Sequence, residues 1–183
     1  YVRGQDLRQL VNQNGPQSEA KILKWAKQIV EILEYLHHNN PPVIHRDLTP
    51  DNLVLNHKND IVLIDFGAAN EFVGTATGTF VGKQAYIAPE QLRGKATPSS
   101  DLYALGGTLH FLSSGEDPEA LMPSRPNEKE KKVSQELDEL VHQLTQMEEE
   151  DRPPDVKEVK KLLHAIPQPK EEIENLPELE MKS

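Results

Sequence analysis

The longest helical pattern in the chain lies between residues 18 and 39. Apolar side chains recur there at helical spacing and form two neighbouring seams, one of Ile22, Trp25, Ile29, Ile32 and Leu36 and one of Ala26, Val30 and Leu33. An apolar stripe this wide predicts a helix packed into a core, and we interpret Trp25 as a packing residue. His37 and His38 stand at the predicted helix end, where we expect solvated side chains near the negative pole of the helix dipole.

Further helices are predicted on both sides of this one. Residues 102–112 are apolar on nearly every side, which indicates a buried central helix, and Thr97 with Pro98 forms a suitable start for it. Two later segments have amphipathic spacing, at Leu137, Leu140, Leu144 and Met147 and at Val156, Val159, Leu163 and Ile166. A short helix through Val11 is predicted near the start of the chain.

Strand-like residues are confined to one region. Residues 53–55 and 61–64 are short aliphatic runs, and the residues between them are rich in turn formers. The expected fold class is therefore mainly α with a small β-hairpin. Residues 167–183 are acidic, contain proline and have little to bury. We expect one folded domain over residues 1–166, followed by a disordered tail or linker.

The composition narrows the classes of function. The chain has 183 residues, 36% hydrophobic and 27% charged, which suits one soluble domain with a sizeable core. Its net charge of -10 argues against nucleic acid or an anionic membrane as the main partner, because either would require a basic face. The sequence has no cysteine, no apolar run long enough for a membrane span and no signal peptide, and we expect a cytoplasmic location. The first residue is Tyr1, not Met, so we expect a piece of a longer protein.

Oxygen-bearing side chains flank the predicted hairpin. Asp47 and Asn52 precede the first strand, and Asp65 follows the second. Pairing of the two strands would bring Asn52 close to Asp65, in turns whose side chains point toward solvent or ligand. Mg²⁺ prefers one or two protein oxygens together with water and phosphate. The sequence therefore predicts a magnesium site at the mouth of the hairpin.

Three motifs in this region and beyond it resemble those of protein kinases. In chain order they are His45-Arg46-Asp47 with Asn52, then Asp65-Phe66-Gly67, then Ala88-Pro89-Glu90. They are similar to the catalytic loop, the metal-binding loop and the end of the activation segment of that family. The resemblance extends to about residue 166 and has the character of bacterial serine/threonine kinases that resemble eukaryotic ones. It implies a kinase C-terminal lobe that begins at the hinge and lacks its N-terminal lobe.

The resemblance implies the residues of a phosphotransfer site. Asp47 would accept the proton of the substrate hydroxyl, and Asn52 and Asp65 would hold the Mg²⁺ ions that bridge the phosphates of ATP. Residues 1–7 resemble the hinge, so the backbone of Val2 would contact adenine and Asp6 would lie near the ribose. Val54 would also contact the nucleotide. A frayed terminal segment is the alternative interpretation of residues 1–7.

Supporting roles also follow from the resemblance. Arg46 would pair with a phosphate on the activation segment, whose candidate acceptors are Thr75, Thr77 and Thr79; a loop that is never phosphorylated is the alternative. Asp101 would anchor the catalytic-loop backbone, or else only stabilise a helix dipole. Glu90 would pair with Arg152, and a buried pair of that kind is costly to break from one side. His45, Phe66 and Gly67 are assigned structural roles.

Two positions depart from the family pattern. Thr49 stands where serine/threonine kinases usually have a lysine that contacts the γ-phosphate, and Lys83 stands where they usually have a threonine. The chain thus has a threonine at the usual lysine position and a lysine at the usual threonine position, so the two residue types are exchanged. Our hypothesis is that Lys83 crosses from the activation segment to supply the missing cation, while Thr49 supplies the hydroxyl. The alternative is an exposed Lys83 and a tolerated Thr49.

The predicted function is that of a serine/threonine kinase lobe whose partners are ATP, a protein substrate and the missing N-terminal lobe of the same protein. We expect the isolated chain to be inactive, and the missing lobe to leave Phe66 and Val54 exposed. A pseudokinase or docking module is the first alternative. A small-molecule phosphotransferase is disfavoured by the Glu90 and Arg152 pair, and tyrosine specificity by Thr49-Pro50.

Overall fold

The structure is a computed structural model that describes residues 4–65 and 83–169. The predictions made for Val2, Phe66, Gly67, Thr75, Thr77, Thr79 and residues 170–183 lie outside the described residues. The helices, numbered in chain order, are α1 (Leu7–Asn14), α2 (Glu19–His37), α3 (Pro89–Leu92), α4 (Pro98–Ser114), α5 (Gln135–Leu144) and α6 (Val156–Ala165). Short 3₁₀ turns lie at Pro50–Asn52, Gln84–Tyr86, Pro126–Glu128 and Glu149–Asp151.

Helix α4 forms the centre of the core and is buried along nearly its whole length, as its apolar sequence predicts. Its start has a capping box in which the side chains of Thr97 and Ser100 bond each other's backbone amides. Its end is set by Gly115, whose φ of 77° lies in the left-handed region that glycine adopts without strain. Helix α4 packs against α2 and α5, and α2 packs against α6.

Helix α2 buries the two predicted apolar seams except Ile32, which is partly buried against the core. The prediction that its terminal His37 is solvated is wrong. The His37 side chain is only 7% exposed, and its Nε2 lies 2.8 Å from the Asp101 Oδ2 of α4. The helix dipole does not require an exposed residue, and here a buried carboxylate is the nearer partner.

The sheet has three antiparallel strands in the order β1 (Gln5–Asp6), β2 (Leu53–Leu55) and β3 (Ile61–Leu63). Strands β2 and β3 form the predicted hairpin in the register Leu53↔Leu63. Strand β1 adds to it with Asp6 opposite Val54.

Val54 is buried, so the prediction that it is left exposed is wrong. The physical reason is the close approach of β1 and the residue before it. A Cβ placed on Gly4 would lie 2.8 Å from Val54 Cγ1 and 2.0 Å from the Leu55 carbonyl oxygen. The chain therefore covers this part of the sheet itself, and glycine at position 4 permits the contact.

The Glu90–Arg152 pair ties α3 to the base of the domain. Arg152 donates to both carboxylate oxygens of Glu90, at 2.7 and 2.9 Å, and its guanidinium carbon lies 5.1 Å from the centre of the Tyr103 ring. The Ser100 hydroxyl donates to Glu90 at 2.8 Å. Burial alone would raise the pKa of Glu90, but the hydrogen bond from Arg152 and further bonds outweigh it and lower that pKa.

Within the described residues no helix has the length and apolar character needed to cross a membrane.

Candidate active site

The loop that carries Asp47 is held in place by one buried carboxylate. Asp101, in the first turn of α4, is fully buried and accepts the backbone amides of His45 at 2.9 Å and of Arg46 at 3.0 Å. His37 contacts the same carboxylate from α2. Three elements thus meet on Asp101, and the backbone just before Asp47 has little freedom to move.

Replacing Asp101 with asparagine is expected to loosen this loop. An amide group turns a donor toward one of the two backbone amides, and an unsatisfied buried donor costs about 1–3 kcal/mol. We expect a lower free energy of unfolding together with faster hydrogen exchange at the amides of His45 and Arg46. Asp138→Asn is the matched control, because Asp138 is a fully buried carboxylate that accepts the backbone amide of Asn127 instead. Unchanged exchange at His45 and Arg46 in Asp101→Asn would contradict the anchoring role.

His45 links the loop to the end of β3. Its Nδ1 lies 3.2 Å from the Asp47 amide, and its Nε2 lies 3.1 Å from the Ile64 carbonyl oxygen. Because an amide donates and a carbonyl accepts, the proton of the ring belongs on Nε2. The imidazole therefore positions the segments that carry Asp47 and Asp65 relative to each other.

Asn52 connects the same two segments. Its side-chain nitrogen donates to the Asp47 carbonyl oxygen and to Asp47 Oδ2, both at 2.9 Å, and its own carbonyl accepts the Ile64 amide at 2.9 Å. Both amide hydrogens are directed at Asp47, so the amide oxygen is turned away from that residue. The structure brings Asp47, Asn52 and the residue next to Asp65 together.

Two residues of the site, one just before Asp47 and one at the end of the hairpin, have left-handed backbone conformations. Arg46 has a φ of 70° and Asp65 a φ of 60°. Such a conformation costs an ordinary residue about 1–2 kcal/mol and persists where its surroundings enforce it, most often at functional sites.

The donor set of this site fits a magnesium ion. The exposed Asp65 offers a carboxylate, and Asn52 offers an amide oxygen that is not turned toward Asp47. The described residues include no cluster of three or more His, Cys, Asp or Glu side chains suited to metal binding. Two hard oxygen donors with room for water and phosphate are what Mg²⁺ accepts, whereas Zn²⁺ sites usually have more nitrogen or sulfur ligands.

Lys83 lies beside the predicted base. Its Nζ is 3.4 Å from Asp47 Oδ2, and the Lys83 side chain is 41% exposed while that of Asp47 is 15% exposed. Thr49 is buried, and its hydroxyl oxygen makes no hydrogen bond among the described residues. Buried hydroxyls are normally paired. The Thr49 hydroxyl is therefore an exception, and it lies two residues after Asp47.

The two described residues assigned to the nucleotide are adjacent. Asp6 and Val54 are paired across β1 and β2. The Asp6 side chain accepts the Gln9 amide at 2.8 Å and thereby caps α1.

Two contacts of the site were missed from the sequence. Gln91 Nε2 donates to the Arg46 carbonyl at 2.8 Å and so ties α3 to the loop that carries Asp47. Arg8 bonds Asp51, within the 3₁₀ turn that follows Asp47. No periodicity marks either residue, and their partners are 45 and 43 positions away in the sequence.

The chain resembles known kinases in sequence and in fold. It is 37% identical over 122 residues to serine/threonine-protein kinase PrkC of Bacillus subtilis (strain 168), an alignment that covers 64% of this chain and 18% of PrkC. It is 36% identical over 130 residues to serine/threonine-protein kinase PknA of Nostoc sp., covering 66% of this chain and 23% of that protein. The kinase domain of Mycobacterium tuberculosis PknI, crystallised as a C20A mutant, superposes with a TM-score of 0.72 and 25% identity, covering 90% of this chain and 62% of that one.

The matches confirm the predicted fold class, a mostly helical kinase fold with a small antiparallel sheet. The chain spans less than a quarter of the length of PrkC and of PknA. The model of the protein kinase domain matches residues 1–172. The chain therefore belongs to the protein kinase family.

Proposed function

We propose that this chain is the C-terminal lobe of a serine/threonine protein kinase, which transfers the γ-phosphate of ATP to Ser or Thr hydroxyls of proteins when an N-terminal lobe is joined to it. The observation that carries the proposal is the position of Asn52. Its side chain bonds Asp47 while its backbone bonds Ile64, beside Asp65. A proton acceptor and two metal ligands are thereby held in one small region, as phosphoryl transfer requires.

Each side chain has a distinct role in this proposal. Asp47 accepts a hydrogen bond from the substrate hydroxyl and later its proton. Asn52 and Asp65 hold Mg²⁺, which when bound neutralises phosphate charge. Asp6 on the outer strand β1 and Val54 opposite it on the central strand β2 contact the nucleotide, together with Val2.

We propose that Lys83 supplies the cation that the catalytic loop lacks. The support is its 3.4 Å approach to Asp47, since a side chain at that place can reach both the base and the transferred phosphate. The buried hydroxyl of Thr49 is the second half of the exchange, because a hydroxyl with no partner among residues 4–65 and 83–169 can bond a group that arrives with the substrate.

The proposal also covers how the kinase lobe is activated and which residues it includes. Arg46 is exposed beside Asp47, where a phosphate on Thr75, Thr77 or Thr79 would find a guanidinium partner. The kinase lobe would extend over residues 1–166, with residues 167–183 as a linker. The proposed location of the protein is the cytoplasm, because ATP and protein substrates are available there.

The experiment is transfer of radiolabelled γ-phosphate to a generic acceptor protein. The longer protein that carries both lobes is compared with its Asp47→Asn variant, and the labelled amino acid is identified. We expect phosphoserine or phosphothreonine from the unaltered protein, and none from the variant or from residues 1–183 alone. Nucleotide binding without any transfer would instead indicate a pseudokinase or docking module.

A further inference from the structure

Arg8, in the first turn of α1, joins two carboxylates, one of which lies in the turn that follows the proposed base. Its Nε donates to Asp51 Oδ2 at 2.9 Å, and its Nη2 donates to Asp117 Oδ1 at 2.8 Å. Asp51 stands four residues after Asp47 and within the 3₁₀ turn of the catalytic loop. Asp117 follows the end of α4. Residues far apart in the sequence thus form one ionic cluster, which includes the residue before Asn52.

Two aromatic residues complete the cluster. The Tyr86 hydroxyl donates to Asp117 Oδ1 at 2.6 Å, and Tyr86 lies three residues after Lys83. The guanidinium carbon of Arg8 lies 4.6 Å from the centre of the Phe111 ring, a favourable cation–π distance. The Arg8 guanidinium therefore stacks on an aromatic ring and donates hydrogen bonds to carboxylate oxygen atoms.

The carboxylates remain accessible. The side chains of Asp51 and Asp117 are each 37% exposed, against 23% for Arg8. Burial alone would lower the pKa of Arg8, but its hydrogen bonds to Asp117 and Asp51 outweigh that effect and raise the pKa, so the guanidinium keeps its charge. Two partly exposed negative charges thus share one positive charge, and one of them lies four residues after Asp47.

A comparison within the chain separates this cluster from a purely structural one. Arg125 also joins two carboxylates, those of Asp138 and Glu139. Asp138 is fully buried and holds the backbone amide of Asn127, so it has no access to a peptide. The Arg8 cluster differs because both of its carboxylates face solvent and one belongs to the catalytic loop.

We propose that Arg8 determines peptide specificity by occupying, from within the chain, a cation site formed by Asp51 and Asp117. While Arg8 fills this site, its two carboxylates do not select a basic side chain of the peptide substrate. Removal of Arg8 frees two carboxylates for an arginine of the substrate, whose planar guanidinium suits carboxylate pairing. The inference rests on the proposed kinase activity.

The test uses the longer protein and serine peptides that carry one arginine at a single position near the acceptor, each matched by a peptide with citrulline, the uncharged analogue. The ratio of kcat/KM between the two members of a pair measures selection for charge. We expect Arg8→Ala to raise this ratio about tenfold over the unaltered protein at one or two positions. Arg8→Gln keeps most of the side-chain length over Phe111 and should show the same change if the alanine variant unfolds.

Two controls decide the cause. Arg125→Ala frees carboxylates elsewhere and should leave every ratio unchanged. Adding Asp51→Asn and Asp117→Asn to Arg8→Gln should abolish the gain. Unchanged ratios in both Arg8 variants, or a gain that survives loss of the two carboxylates, would overturn the inference while leaving the kinase activity established. Absence of transfer to any peptide by the unaltered protein would overturn the proposed function, and this inference with it.

Discussion

Replacing Lys83 with alanine is expected to lower kcat for peptide phosphorylation about a hundredfold in the protein that carries both lobes, with a much smaller change in the KM for ATP. Removal of one positioned electrostatic stabiliser typically has an effect of this size. A loss in kcat without a matching loss in KM marks an interaction made mainly in the transition state. The structural basis is the 3.4 Å contact between Lys83 and Asp47.

Matched variants test the reciprocal exchange directly. Lys95→Ala removes another exposed lysine, whose backbone amide bonds the Glu90 carbonyl and whose side chain makes no ion pair within the described residues, and should retain full activity. Thr49→Lys combined with Lys83→Thr rebuilds the usual family arrangement and should recover much of the activity that either single change removes. Equal activity of Lys83→Ala and the unaltered protein would eliminate the hypothesis and leave Lys83 as a surface residue.

Replacing Arg152 with methionine is expected to destabilise the domain by about 3–5 kcal/mol, because Glu90 would be left as a buried charge without its partner. The pair has bidentate geometry, and the Arg152 side chain is fully buried. Urea denaturation followed by circular dichroism measures the change. The control is Lys160→Met, which breaks the exposed ion pair with Glu34 and should have little effect.

The same pair predicts a pH dependence of stability. The folded pKa of Glu90 lies below its ordinary value of 4.5, so the unfolded chain takes up a proton first as the pH falls. The stabilisation is complete above pH 4.5 and is lost as the pH decreases through the folded pKa. The double variant Glu90→Gln with Arg152→Met should lose this contribution. An equal acid sensitivity of the double variant and the unaltered protein would contradict the assignment.

Periodicity and motif spacing predict the helices and the hairpin because these depend on residues near one another in the sequence. Helix α2, for example, spans Glu19–His37, within the predicted helical pattern of residues 18–39. Contacts between distant residues are not predictable in this way. His37 looks like an exposed helix end until Asp101 approaches from another helix, and Val54 looks exposed until residues 4–6 cover it.

In the candidate site, too, some features are predictable from the sequence and others are not. The order of Asp47, Asn52 and Asp65 around a hairpin predicts their proximity, because strand pairing brings the ends of a hairpin together. The hydrogen bonds of Arg8 have no sequence signal, since its partners Asp51 and Asp117 come from separate segments of the chain. Charged clusters of this kind are set by the packing of several segments and become visible only in three dimensions.

The most direct test of the central claim is a crystal structure of the protein with both lobes, bound to Mg²⁺ and a non-hydrolysable ATP analogue. We expect an Mg²⁺ ion within about 2.1 Å of Asn52 Oδ1 and of an Asp65 carboxylate oxygen. The Asp47 carboxylate should face the place that a substrate hydroxyl occupies beside the terminal phosphate. A nucleotide metal held by other residues, with Asn52 and Asp65 outside its coordination shell, would contradict the account.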